Sequence, residues 1–232
     1  LVIRYTDSVV MAMGLMLLSK WRTLAVRPRY WLANIRANLV DVIVGISIVA
    51  HLVAINGAPM LDSDKLIIMA ITTILYIVWL LVIKPRSSRA FIAIQSGVAV
   101  LLGVSAQFVV SASWPVSILV LLMWLIGYTT AYHVLNAYDE ETHALFLGLV
   151  WGLVMAEFGW IAYHWVIAYE MPFIENLLIP QAAIIATLVS FTAYKAYSSY
   201  AKHERIRSAD IALPVLFSTA TIAVILILFN QI

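Results

Sequence analysis

Hydrophobic positions in this chain gather into long unbroken runs, parted by short polar or proline-bearing joints. Seven runs are long enough to cross about 30 Å of hydrocarbon at about 1.5 Å per residue. They cover residues 38–55, 66–83, 91–110, 115–135, 144–168, 177–197 and 211–229. A segment in lipid must satisfy its backbone groups internally, so each run predicts an α-helix. An eighth helix is expected within residues 1–18, where the apolar stretch 9–18 is short and follows Arg4 and Asp7. No small-x-small cleavage pattern follows it before Trp21 and Arg22, so it reads as a tilted or interfacial helix, not a secretory leader.

The fold class is therefore all-α, a polytopic transmembrane bundle of seven spans plus an N-terminal eighth. Residues 1–232 form one integral membrane domain, with 1–37 as an N-terminal helix and basic interfacial segment and 38–232 as the seven-helix bundle. Joints of about 4–13 residues predict that successive helices are antiparallel neighbours. Composition agrees: 64% of residues are hydrophobic, 11% are charged, and the mean hydropathy is +0.99. An average soluble domain is about a quarter charged.

The absence of cysteine excludes a disulfide framework, thiolate metal sites and a cysteine nucleophile, and a net charge of +2 gives no reason to invoke nucleic acid. The placement of charge is more informative than its sum. Of 14 lysines and arginines, all but Arg4 and Lys65 fall in alternate joints, at Lys20, Arg22, Arg27, Arg29, Arg36, Lys84, Arg86, Arg89, Lys195, Lys202, Arg205 and Arg207. Positive charge concentrates on the cytoplasmic side, so these joints are expected in the cytoplasm of a cell with the protein in its plasma (inner) membrane. Arg27 and Arg29 beside Trp31 suit a segment lying at the lipid headgroups.

Polar residues inside the runs are the candidate working parts. Glu157 lies near the middle of run 144–168, and an intramembrane acid is expected to face a partner or a water-filled space. His164 follows seven residues later on nearly the same helical face, about 10 Å towards the other side. With Trp160 between them, the pair suggests a proton or substrate path. The alternative is an acid hydrogen-bonded across helices, with Gln95, Gln107 and Gln181 available. Gly148, Gly152 and Ala156 recur on the other side of the same helix as a small-residue packing face, which predicts a place at the bundle centre.

Asn34, Asn38, Asp41 and Gly45 form a stripe entering the first span. It suits a polar entry route for substrate or cation, or a docked helix start whose counter-ions come from the basic joints. Thr129, Tyr132, His133 and Asn136 form another stripe, leading to the acidic joint Asp139, Glu140, Glu141 and His143. That joint is expected to pair with Arg86 or Arg205.

Glu140 and His143 have E-x-x-H spacing, one copy of a motif that di-iron bundles use twice, so a metal site is left unassigned. His51 and His164 lie at similar depth and would be the axial ligands if a b-type haem were bound; no cofactor is otherwise expected. The final span has no lysine for a retinal Schiff base. The order Glu140–Glu141 to His164 resembles that of intramembrane CAAX-type proteases, but Leu145 stands where that pattern has arginine and no second membrane histidine follows. No catalytic role is carried over.

Three functions follow from these residues. The first is a small transporter or proton-coupled conductor with a midplane carboxylate. The second is a non-catalytic membrane subunit or scaffold that meets other membrane subunits. The third is an intramembrane enzyme using Glu157, His164 and His51, or a haem protein.

Overall fold

The computed structural model describes Ile3 and residues 8–23, 25–110, 114–165, 168–171 and 174–228. Among these, eight α-helices follow in order. They are α1 (Val9–Ser19), α2 (Trp31–Gly57), α3 (Asp62–Val78), α4 (Arg89–Val110), α5 (Val116–Leu135), α6 (Ala144–His164), α7 (Gln181–His203) and α8 (Ser208–Leu228). Two short 3₁₀ turns, Trp21–Thr23 and Pro28–Tyr30, lead into α2, and α3 continues as a π-helical turn over Trp79–Ile83. An antiparallel hairpin joins α6 to α7, with β1 (Ala168–Met171) pairing β2 (Ile174–Pro180) so that Tyr169 lies opposite Ile179.

Among the described residues six segments are long and apolar enough to cross a membrane: Pro28–Gly57, Asp62–Ile83, Arg89–Val110, Val116–Leu135, Ala144–His164 and Ser208–Ile227. The protein is an all-α integral membrane bundle. At 23 residues, α7 is also long enough, but its second half, Thr192–His203, carries two lysines, three tyrosines and two serines. At 11 residues α1 spans about 16 Å, roughly half the hydrocarbon thickness.

The expected run 177–197 starts helical structure later, at Gln181. Pro180 disfavours the helical region for Ile179 before it, which instead extends the chain into β2. The preceding helix ends at His164, short of the expected residue 168, because Trp165 leaves helical geometry and Ala168 already belongs to β1. Pro214 sits in the second turn of α8, since that helix begins at Ser208.

The centre of the bundle is α4, which packs against α2, α5 and α7, whereas α6 was expected there. Val100, Val104 and Phe108 of α4 meet Leu119, Met123 and Ile126 of α5, Met155 of α6 and Ala186 of α7 in the main core. The tightest pair is α5 with α6, and the small-residue face of α6 makes it so. A Cβ on Gly152 would lie 2.9 Å from the Trp124 carbonyl oxygen, and one on Gly159 would lie 2.6 Å from Met123 Cγ.

Successive helices from α1 to α6 are neighbours except α3 and α4, which meet only where the Trp79–Ile83 turn reaches α4, and α6 and α7 also scarcely touch. The 168–180 hairpin lengthens that connection, and α7 lodges against α4 and α8 instead. On the periphery, α3 and α8 present apolar side chains such as Leu75, Leu81, Leu213 and Ile227 outward, as lipid-facing helices do.

The basic joints meet at one end of the bundle. Lys20 and Lys84 reach the same carboxylate, Arg36 stacks over Tyr132, and Arg89 donates to the Ala137 carbonyl oxygen.

Candidate functional site

Glu157, His164 and Trp160 do not enter the bundle. All three are exposed on the outer face of α6, in a stripe that also holds Phe146, Val150 and Leu153. The interior position expected for Glu157 is corrected by this geometry. Helical periodicity aims the small-residue face of α6 into α5, and Glu157 lies on the far side of the same helix. The His164 ring packs edge-on against Trp160 and Tyr163, at 5.0 and 5.3 Å between centroids.

Among the described residues Asp41 is the buried charge, and it is fully partnered. Its Oδ2 accepts from Lys20 Nζ at 2.5 Å and Lys84 Nζ at 2.7 Å, while Oδ1 accepts from Trp79 Nε1 at 3.1 Å. Residues five apart on an α-helix point about 140° away from each other, so Trp79 and Lys84 would not both reach Asp41. The π-turn solves this. Lys84 N bonds the Trp79 carbonyl at 2.9 Å, an i to i+5 closure that brings the two side chains over one another.

The stripe around Asp41 is a docking face for α1. Asn34 donates to the Thr23 carbonyl at 2.6 Å, Asn38 donates to the Asn34 carbonyl at 2.8 Å, and Gly45 leaves room for Met16. The lysines fill the place that a cation or an entry route was expected to take. Just before this face, Arg27, Arg29 and Trp31 are exposed, with Arg29 over the Tyr30 ring and Trp31 Nε1 donating to the Val26 carbonyl.

The remaining polar candidates knit helices together. His133 Nε2 lies 2.9 Å from Gln95 Oε1, and Gln95 Nε2 donates to the carbonyls of Ile83 and Arg86. Since Oε1 can only accept, His133 carries its proton on Nε2. Tyr132 closes a stacked row with Tyr128 and Trp124, under Arg36. His51 uses both ring nitrogens, on the Ser47 carbonyl at 2.7 Å and Ser105 Oγ at 3.0 Å. Its nitrogens are engaged inside the bundle while His164 stands outside, so this structure does not present the two imidazoles to one another.

Glu140 and His143 lie in a non-helical joint, both exposed, so their spacing does not present two ligands from one helical turn. Among the described residues no group of three or more histidines and carboxylates is placed to hold a metal. The expected pairing of the acidic joint with Arg86 or Arg205 is also replaced. Glu141 accepts from the Tyr197 hydroxyl and from His143 N, and these hydrogen bonds hold its carboxyl below the usual range, the tyrosine's most of all. Arg86 instead stacks over Phe91.

Sequence reasoning missed a cavity of about 740 Å³ between α4, α5, α6 and α7 at the basic half of the bundle. It exists because α6 and α7 diverge and because Ala90, Ala93 and Gly97 on α4 face Ala131 and Ala193 with little side chain between them. A Cβ on Gly97 would meet nothing within 4 Å. Ile94, Val150 and Phe217 line the cavity while remaining exposed, which places its mouth on the lipid-facing surface. The walls are apolar apart from the hydroxyls of Ser96, Thr130, Thr187 and Ser190, two tyrosines and Lys195. Ser190 Oγ is buried with no hydrogen-bond partner. The spacing of the small residues on α4 was the available signal.

Comparison with known proteins finds no matching family model, no matching curated protein and no matching solved structure.

Proposed function

We propose that this protein is a small membrane transporter whose substrate site is the cavity between α4, α5, α6 and α7. The observation that carries the reading is the cavity itself. Pockets of about 300–1,000 Å³ with apolar walls and a few polar groups hold single small molecules, and this one has that size and chemistry. Its lateral mouth suits a substrate that partitions into lipid first.

A path through Glu157 and His164 draws no support from side chains on the outer face of α6. Nor do these two and His51 converge on one point, as acid–base chemistry would require. The basic end belongs in the cytoplasm by the distribution of lysine and arginine, with the plasma membrane as the site.

Reconstitution tests transport. A fluorescent single-chain amphiphile in the inner leaflet of liposomes should reach an external, membrane-impermeant quencher faster when the protein is present. Equal rates in protein-free and protein-containing liposomes would sink the reading.

A second reading, a non-catalytic subunit, is favoured by one observation. The outer stripe Phe146, Val150, Leu153, Glu157, Trp160 and His164 has the 4-3-4-3-4 spacing of a helix-packing seam, with a carboxylate at its centre. Purification in mild detergent distinguishes the two, because a stable chain without a partner removes the subunit reading.

A further inference from the structure

The cavity's charge identifies the kind of molecule it takes. Among the described residues Lys195 is the one charged side chain in its lining. Its Nζ sits 5.6 Å above the Phe191 ring and 5.8 Å from that of Tyr194, both cavity residues. No described carboxylate lies within ion-pair distance of it.

Neighbouring charges are already engaged. Glu141 is held by Tyr197 and His143, and Arg89 by the Tyr138 ring and the Ala137 carbonyl. Lys195 therefore presents a half-buried ammonium, without a counter-ion, at the basic end of an apolar chamber. Ala90 to Val100 on α4 and Thr187 to Tyr197 on α7 both run along this chamber, giving it a length of about 15 Å.

Resting on the transport reading above, we propose that the cavity binds a single-chain anionic amphiphile, a medium- or long-chain carboxylate. The headgroup lies on Lys195 and the hydrocarbon lies along Val100, Leu147, Trp151 and Leu188. A half-buried ammonium held only by aromatic rings lacks a counter-ion, and an incoming carboxylate supplies it through a charge-assisted hydrogen bond.

The lack of native cysteine makes a direct test possible. Gly97→Cys places one thiol in the cavity wall, where an added Cβ meets nothing within 4 Å, and its rate of modification by a small maleimide is followed in nanodiscs of phosphatidylcholine with dodecanoate or dodecanol added. Dodecanoate should protect at roughly tenfold lower concentration than dodecanol, the ratio expected for one hydrogen bond to a charged group. Adding Lys195→Gln should abolish that ratio by weakening dodecanoate protection to the level of dodecanol.

Equal protection by both compounds, insensitive to Lys195→Gln, overturns the anionic assignment while leaving the cavity as a binding site. Protection by neither removes the cavity reading and with it the transport proposal. Protection by anionic phospholipid in the disc, with no dodecanoate advantage, overturns the single-chain assignment. Native mass spectrometry of the unlabelled chain and its Lys195→Gln variant, each with dodecanoate and with dodecanol, reads the same occupancies without depending on thiol reactivity. Dodecanoate adducts on the variant at wild-type abundance would likewise overturn the proposal.

Discussion

Replacing Asp41 by asparagine should destabilise the bundle by about 3 kcal/mol, the low end of what breaking a buried ion pair costs. The change keeps the shape of the side chain and removes its charge. The carboxylate side chain is 7% exposed and Lys20 is 11% exposed, so Lys20 is left as a buried cation with no counter-ion. Lys84, at 38%, can swing its ammonium towards the headgroups, which removes its share of the penalty. Trp79 can still donate to the asparagine oxygen. The expected loss is thus mainly that of one stranded lysine.

The assay is reversible unfolding in mild detergent, read for Asp41→Asn, Lys20→Met and the double variant. The double variant should recover most of the loss, because replacing a buried pair by apolar groups of similar size is often close to neutral. A loss below about 1 kcal/mol for Asp41→Asn, or a double variant no better than the single, would refute the view that this carboxylate anchors α1 and α3 to α2.

Other consequences are checked as simply. Two glycine-to-alanine changes in helices should have opposite signs: Gly97→Ala should stabilise by about 0.5–1 kcal/mol, whereas Gly152→Ala, whose Cβ would press on the Trp124 carbonyl, should cost about 1–3 kcal/mol in the same unfolding assay. Glu204 adopts φ 55°, a left-handed cap at the end of α7, so Glu204→Gly should raise the midpoint of thermal unfolding, by about 1 kcal/mol in stability. Glu141 has a depressed carboxyl pKa, so its contribution to stability is present above the unfolded value and fades as pH falls through the folded one. Tyr197→Phe should raise the Glu141 pKa in an NMR titration and weaken the acid-side pH dependence; an unchanged titration would show that the tyrosine does not hold it.

The span pattern was readable because lipid imposes length and apolarity on every crossing segment: all seven runs became helices, and six segments among the described residues are long and apolar enough to cross. The Gly148–Gly152–Ala156 face was also legible, since small residues at helical spacing can do little except admit a neighbour. Asp41 was legible in kind, with basic joints named as its source of counter-ions. That Lys20 and Lys84 are those ions was not, because the Trp79–Lys84 alignment needs a π-turn that α-helical spacing does not foresee.

Glu157 was misread for a different reason. An intramembrane acid signals that a partner is needed, but helix periodicity alone does not say which side of α6 meets the bundle once two faces carry signals. The cavity was harder to find because it is made by what is missing: the short side chains on α4 leave a spacing signal that does not by itself distinguish a cavity from a packing face, and the divergence of α6 from α7 leaves none.

We propose that the chamber lined by Gly97 and Lys195, and not the Glu157 face, is where this protein works. The most direct test is the rate of amphiphile movement in liposomes for Gly97→Leu and Glu157→Gln, measured side by side at matched reconstitution. Gly97→Leu, whose Cβ meets nothing within 4 Å and whose side chain takes up cavity space, should abolish the rate while Glu157→Gln keeps it. Loss of movement with Glu157→Gln and an undiminished rate with Gly97→Leu would contradict the proposal.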